Sequence, residues 1–96
     1  MIQSFADETT VDLFREFDTR HARRIPRDIW RVAQRKLKAL DVAVRLEDLR
    51  IPAGNRLERL RGARSGQHSI RINDQYRVTF RWEDGDAYEV RVEDYH

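Results

Sequence analysis

Residues Gln75-Tyr76-Arg77-Val78-Thr79-Phe80-Arg81-Trp82 alternate apolar and polar side chains, and Ala87 to Tyr95 do the same. A period of two is the signature of a β-strand with one buried face. It sends Tyr76, Val78, Phe80 and Trp82 to one side and Arg77, Thr79 and Arg81 to the other. In the following run Tyr88, Val90 and Val92 are expected inward, and Glu89, Arg91 and Glu93 outward. Glu83-Asp84-Gly85-Asp86 lies between them, and its Asp-Gly pair suits a tight hairpin turn. Working back from this hairpin, Gln67–Asn73 is expected to be a strand with Ile70 and Ile72 on one face, turning at Asn73-Asp74. Gly62–Gly66 is a turn with Arg64 at its tip, and Asn55–Arg61 is a further short strand. The second half of the chain is thus an antiparallel meander of about four strands.

The first half has a different period. Residues 2–6 suit a short strand. Asp7 or Thr9-Thr10 can cap a helix holding Val11, Leu13, Phe14 and Phe17, which frays near Asp18–His21. Pro26 suits the first position of a second helix that ends near Leu40. Ile29, Ala33, Leu37 and Leu40 form one apolar stripe along it. Arg27, Arg31, Arg35 and Lys38 form a basic outer face, either solvated or in contact with RNA or an acidic partner. Residues 42–54 are a loop with one helical turn. The expected class is α+β: an N-terminal strand and two helices packed on one face of an antiparallel sheet of about four to five strands.

With 96 residues, one domain over 1–96 is expected. The absence of cysteine excludes disulfides, thiolate metal sites and a cysteine nucleophile, and suits a reducing cytoplasm. His21, His68 and His96 lack zinc-ligand spacing, and no metal site is expected. Met1 to Glu8 shows neither the basic nor the apolar region of a secretory signal, and no apolar run approaches the roughly 20 residues of a membrane helix. A cytoplasmic protein without a membrane partner is expected. No glycine-rich phosphate loop, metal motif or nucleophile elbow occurs, so no cofactor is expected.

The charge is uneven. Lys36 and Lys38 are the only lysines among 19 basic residues, at a net charge of +2. Residues 19–41 carry eight bases against Asp28 and Asp41, and residues 56–81 carry seven arginines against Glu58 and Asp74. Acidic segments at both ends offset these blocks. Codon usage can enrich arginine, but so can phosphate recognition, because the guanidinium fork grips phosphate in a bidentate way. Arg71, Arg77, Arg81 and Arg91 fall on the uncovered face of the expected sheet. Like charges side by side across strands repel. Such a face is either built to receive an anion or neutralised across strands by Glu89, Glu93 and Asp74.

The chain ends Glu93-Asp94-Tyr95-His96. The α-carboxylate of His96 and an Asp94 two residues back on the same strand face favour imidazolium, while nearby arginines oppose it. A histidine so placed suits acid–base work, with Asp94 orienting the ring. The alternative is a frayed tail. His68, on a strand, is expected to be structural, and His21 solvated. The chemistry these residue types support is metal-free acid–base cleavage of a phosphodiester, with arginines on the phosphate. RNA supplies its own nucleophile, the 2′-hydroxyl.

These segments together resemble the HigB-type toxins of the RelE superfamily, from bacterial type II toxin–antitoxin modules. The resemblance runs from Met1-Ile2-Gln3-Ser4-Phe5 through Lys38-Ala39-Leu40-Asp41 and Ile51-Pro52-Ala53-Gly54. It continues with Arg56-Leu57-Glu58-Arg59-Leu60-Arg61-Gly62, then Gly66 to Asn73 and Gln75 to Phe80. It closes with Asp84-Gly85-Asp86-Ala87-Tyr88 and the terminal Glu93-Asp94-Tyr95-His96. It implies a RelE-like, microbial-ribonuclease-like fold and an endoribonuclease that cuts mRNA in the ribosomal A site. It also implies a HigA-like helix-turn-helix antitoxin, through which alone operator DNA is bound. By resemblance Asp94, Tyr95, His96 and Arg77 are the catalytic candidates, and Arg61 matches a basic residue before the glycine. Arg61, Arg64, Arg71, Gln75, Arg81 and Arg91 are the candidate RNA contacts. Glu58 stands where relatives can have a histidine, and Gln75 where an asparagine is common. A second class of function uses the same basic blocks: a binding module that docks on RNA or the ribosome, or acts as co-repressor with its antitoxin, without cutting.

Overall fold

A computed structural model of the chain describes residues 1–95. Asp7 is the N-cap of helix α1 (Glu8–Phe14), its carboxylate accepting the Thr10 N–H at 2.9 Å. The helix stops one turn earlier than the apolar spacing suggested. Glu16 takes a left-handed conformation (φ 61°), the Phe17 N–H bonds back to the Asp12 carbonyl, and the Phe17 ring is left 51% exposed. Thr19 then donates to Asp12 and accepts from the Ala22 N–H, starting a 3-10 turn at Ala22–Arg24.

Helix α2 spans Trp30–Val42 behind a 3-10 turn at Arg27–Ile29. Pro26 has an extended ψ of 132°, so it precedes the turn rather than opening the helix as expected. Ala33, Leu37 and Leu40 are fully buried, as their spacing requires, while Arg31, Arg35 and Lys38 are exposed. Residues 42–54 contain two 3-10 turns, at Leu46–Arg50 and Ala53–Asn55. They are tied to α2 by the buried Lys36 ammonium, which donates to the Asn55 amide oxygen. Asn55 in turn donates to the Leu49 carbonyl at 3.1 Å. Burial lowers the pKa of Lys36, and the charges of Arg35 and Arg71 lower it further.

The strands are β1 (Glu58–Arg59), β2 (Gln67–Arg71), β3 (Tyr76–Glu83) and β4 (Asp86–Asp94), in the order β1-β2-β3-β4 and antiparallel throughout. β1 is much shorter than the expected run, because Asn55 is drawn into a buried turn. The loop between β2 and β3 is built on Asn73, whose side-chain oxygen accepts the Gln75 and Tyr76 N–H groups at 2.9 and 2.7 Å. Asp84 and Gly85 both have positive φ and make the tight β3–β4 turn. The N-terminal segment adds itself beside β4 in parallel, through bridges Ile2–Ala87 and Phe5–Val90.

Both helices cover one face of this sheet. Leu13, Ala33, Leu37 and Leu40 pack there against Ile70, Val78, Phe80, Val90 and Val92. Thr10 of α1 accepts the Val92 N–H at 3.0 Å, which fixes the helix to β4. One strand departs from plain alternation. Thr79 pairs with Arg91 but Arg81 pairs with Tyr88, so β4 carries an extra residue at Glu89, with φ 52°. The bulge reverses the parity of β4 below it. Ala87 turns into the core, and Tyr88 lies beside Arg81 on the open face rather than inward. No helix among the described residues is long and apolar enough to cross a membrane.

Candidate active site on the open face of the sheet

Directly opposed residues on neighbouring strands share a face. The register therefore places Gln67, Arg81 and Tyr88 in one row of the open face, and Glu58, Ser69, Thr79 and Arg91 in the next. A third row holds Arg71, Arg77 and Glu93. Tyr95 follows Glu93 on this side. Arg64 enters from the 3-10 turn at Gly62–Arg64 and lies across the rows.

Glu93 anchors the cluster. Its two carboxylate oxygens accept from Arg64 Nη1 and Nη2 at 2.9 and 2.7 Å, and Thr79 Oγ1 donates to it at 2.6 Å. Gln67 accepts from Arg64 Nη2 at 2.9 Å and completes the guanidinium's surroundings. Burial pushes the Glu93 carboxyl up, but hydrogen bonds from Arg64 and Thr79 and the charges of Arg64 and Arg91 hold it below its ordinary value. Arg64 is raised in return, chiefly by its bond to Glu93. Arg77 donates to Ser69 Oγ at 3.3 Å and pairs with Glu58 at 3.1 Å. The Arg64 and Arg77 guanidinium carbons stand 5.8 and 5.6 Å from the centre of the Tyr95 ring. Two cations thus stand against one aromatic ring. A depression of about 350 Å³ opens beside them, lined by Phe5, Arg64, Gln67, Thr79, Glu89 and Arg91 among others.

Each open-face arginine has a carboxylate of its own. Arg81 pairs with Glu89 at 2.6 Å, Arg91 with Asp7 at 3.3 Å, and Arg71 with Asp74. The face is thus neutralised, the second of the two outcomes its sequence allows, although with acids partly different from those expected. Asp7 and Glu58 take part, and Glu93 serves Arg64. Thr79, Ser69 and Glu93 hold the cluster together, yet none stood among the candidate site residues. Their one signal was alternation, which puts them on the arginine face.

The remaining candidates are placed differently. Asp94 pairs in register with Tyr76, so alternation turns it to the opposite side from Glu93 and Tyr95. Its carboxylate accepts from Gln75 Nε2 at 2.9 Å at the end of the sheet. Gln75 also holds Tyr95 through its carbonyl, which accepts the Tyr95 N–H at 2.9 Å. Arg61 is exposed at the head of the turn that carries Arg64, and among the described residues it does not join the cluster. His96 lies outside the described residues. His68 faces the core side, stacked on Phe80 at 5.8 Å, and burial lowers its pKa, with Arg59 adding to the effect. Among the described residues no three His, Asp or Glu side chains group as metal ligands.

Two helices on one face of a four-stranded antiparallel meander, with a charged open face on the other, define an α+β protein. Residues 3–96 match the family described as RelE-like toxin of type II toxin–antitoxin system HigB. The chain belongs to this HigB family of toxins, each the toxin of a type II toxin–antitoxin system. It is 51% identical over 77 residues to Toxin HigB-1 of Vibrio cholerae, covering 80% of each chain. It is 38% identical over 69 residues to Endoribonuclease HigB of Proteus vulgaris, covering 72% of this chain and 73% of that one. The fold is shared with the YoeB–YefM complex from Staphylococcus aureus, at a TM-score of 0.60 and 16% identity over 100% of this chain and 98% of that one. A YafQ mutant from E. coli aligns at a TM-score of 0.53 and 14% identity, over 98% and 93% of the two chains.

Proposed function

We propose that this chain is the toxin of a type II toxin–antitoxin pair and acts as a ribosome-dependent mRNA endoribonuclease. The observation that carries this is Arg77, only 16% exposed and held on the open face by Ser69, Glu58 and the Tyr95 ring. A fixed guanidinium beside an aromatic ring suits one phosphate and the base next to it. Family membership and the name of the Proteus vulgaris relative support the same reaction.

In this reaction a base takes the proton of the RNA 2′-hydroxyl, whose oxygen attacks the adjacent phosphorus. The bond from phosphorus to the 5′-oxygen breaks, and an acid protonates the leaving oxygen. Arg77 is assigned to the phosphate, where its charge counts most against the crowded, more negative transition state. His96 is assigned the proton transfer, with Asp94, which Gln75 holds at the end of the sheet on the other side of the strand from Arg77, as the acid that orients it from there. Tyr95 stacks on or donates to the substrate. Arg64, Arg71, Arg81 and Arg91 guide the flanking RNA, as does Arg61 at the edge of the site. The cytoplasmic ribosome presents the mRNA, and a HigA-like helix-turn-helix antitoxin neutralises the toxin and carries the pair to operator DNA.

Expression of wild type, Arg77→Ala and His96→Ala in growing cells tests this. Wild type is expected to arrest growth and leave cut mRNA, with cleavage absent when translation initiation is blocked. Both variants are expected to lose cleavage while keeping the wild-type circular dichroism spectrum. Growth arrest without mRNA cuts would replace the enzyme by a binding module.

A further inference from the structure

We propose that Glu58 occupies the place of a substrate phosphate on Arg77 and so selects RNA presented at high local concentration over RNA free in solution. This rests on the proposed role of Arg77 as the phosphate ligand.

Three features of the pair carry it. Arg77 is the most buried of the five paired open-face arginines, at 16% side-chain exposure against 33% for Arg64 and Arg71, 40% for Arg81 and 50% for Arg91. Its Nη1, which meets Glu58, also donates to Ser69 Oγ, and the guanidinium stands 5.6 Å from the centre of the Tyr95 ring, so it keeps contacts when Glu58 leaves. Glu58 is the opposite. It lies on a two-residue strand at the edge of the sheet and is 52% exposed. A fixed cation and a movable anion make an exchangeable pair.

The Glu58 carboxylate, 3.1 Å from Nη1, competes with a phosphate for that nitrogen and for the charge of the guanidinium. A phosphate that takes Nη1 displaces Glu58, and the affinity for Arg77 is lowered by whatever that pair is worth. For an exposed pair this is roughly a factor of two to five. Free RNA has nothing to offset the loss. RNA already held beside the toxin on a shared surface competes at a high effective concentration and overcomes it. Glu58 thus acts as a specificity-determining residue, raising the contrast between presented and free RNA.

The test is binding of a labelled, single-stranded 2′-O-methyl oligoribonucleotide, which cannot be cut, followed by fluorescence anisotropy at two salt concentrations. Glu58→Gln keeps the shape and removes the charge. It is expected to tighten Kd by roughly two- to fivefold at the lower salt concentration, with a smaller gain at the higher one, where the Glu58–Arg77 pair is screened. Glu47→Gln removes an equal charge from the exposed Leu46–Arg50 turn and controls for net charge. In an Arg77→Ala background the Glu58 substitution is expected to change nothing. Equal gains from Glu58→Gln and Glu47→Gln, or a gain that survives Arg77→Ala, would overturn the proposal while leaving the ribonuclease assignment intact. An oligonucleotide bound by neither wild type nor Glu58→Gln would also overturn it, because an unmasked Arg77 must hold phosphate. Cleavage of mRNA in cells then decides the ribonuclease assignment separately.

Discussion

Replacing Glu93 by glutamine removes the anion at the centre of the cluster with almost no change of shape. The Glu93 side chain is 17% exposed and that of Arg64 33%. The carboxylate accepts three hydrogen bonds, two from Arg64 and one from Thr79. Breaking one side of a fully buried pair costs about 3–5 kcal/mol, and an exposed pair is worth at most about 1 kcal/mol. A site one-third open through Arg64 lies between them, at about 2 kcal/mol. For a chain of this size that lowers Tm by about 8–16 °C. Urea and thermal unfolding at pH 7 measure it. The pH dependence gives an independent check. Burial raises the carboxyl, but the bonds from Arg64 and Thr79 hold it below its ordinary value of 4.5. Its stabilisation is therefore complete above that value and is lost as pH falls through the lower folded one. The gap between wild type and Glu93→Gln is expected to close in acid. A loss below about 0.5 kcal/mol at pH 7, or a gap that does not narrow as pH falls below the ordinary value of 4.5, would refute the anchoring role.

Three further outcomes are expected. Asn55→Ala leaves the buried Lys36 ammonium and the Leu49 carbonyl without their partner, and is expected to cost about 3 kcal/mol in urea unfolding. Adding Lys36→Met should recover part of that loss, and strictly additive costs would count against the link. His68, with its pKa lowered by burial and by Arg59, is expected to titrate below 6.5 by NMR and to be neutral at pH 7; a midpoint above 6.5 contradicts its placement against Phe80. A tag fused after His96 is expected to impair mRNA cleavage far more than the same tag before Met1, and equal activities would remove His96 from the chemistry.

The parts of the fold legible in the sequence are those where one period runs unbroken over a buried face. β3 is such a case, and so is the Ala33, Leu37, Leu40 stripe of α2. β4 is legible only above Glu89. Below it the bulge shifts every side chain to the other face, and a glutamate at φ 52° carries no glycine to announce it. The helix ends escape the apolar pattern for a related reason. Phe17 and Pro26 continue or open a pattern on paper, but the chain leaves the helix at Glu16 and enters α2 through a 3-10 turn.

The site divides along the same line. Alternation alone puts Arg71, Arg77 and Arg81 on the open face, and the structure keeps them there. Their partners depend on register and on turns. Arg64 meets Glu93 across 29 positions, and Arg91 meets Asp7 across 84. No spacing rule reaches that far. This changes the meaning of 17 arginines in a chain of net charge +2. Segment by segment, the acids seemed to sit at the chain ends and the bases between them. In the fold Asp7 and Glu93 come from those ends and lie against Arg91 and Arg64. The neutrality is therefore local to the arginine face. Under the proposed function, such a face draws RNA weakly from a distance, since steering depends on net field. On that reading it holds RNA at close range when phosphates replace carboxylates, which a substrate already brought alongside achieves at its high effective concentration.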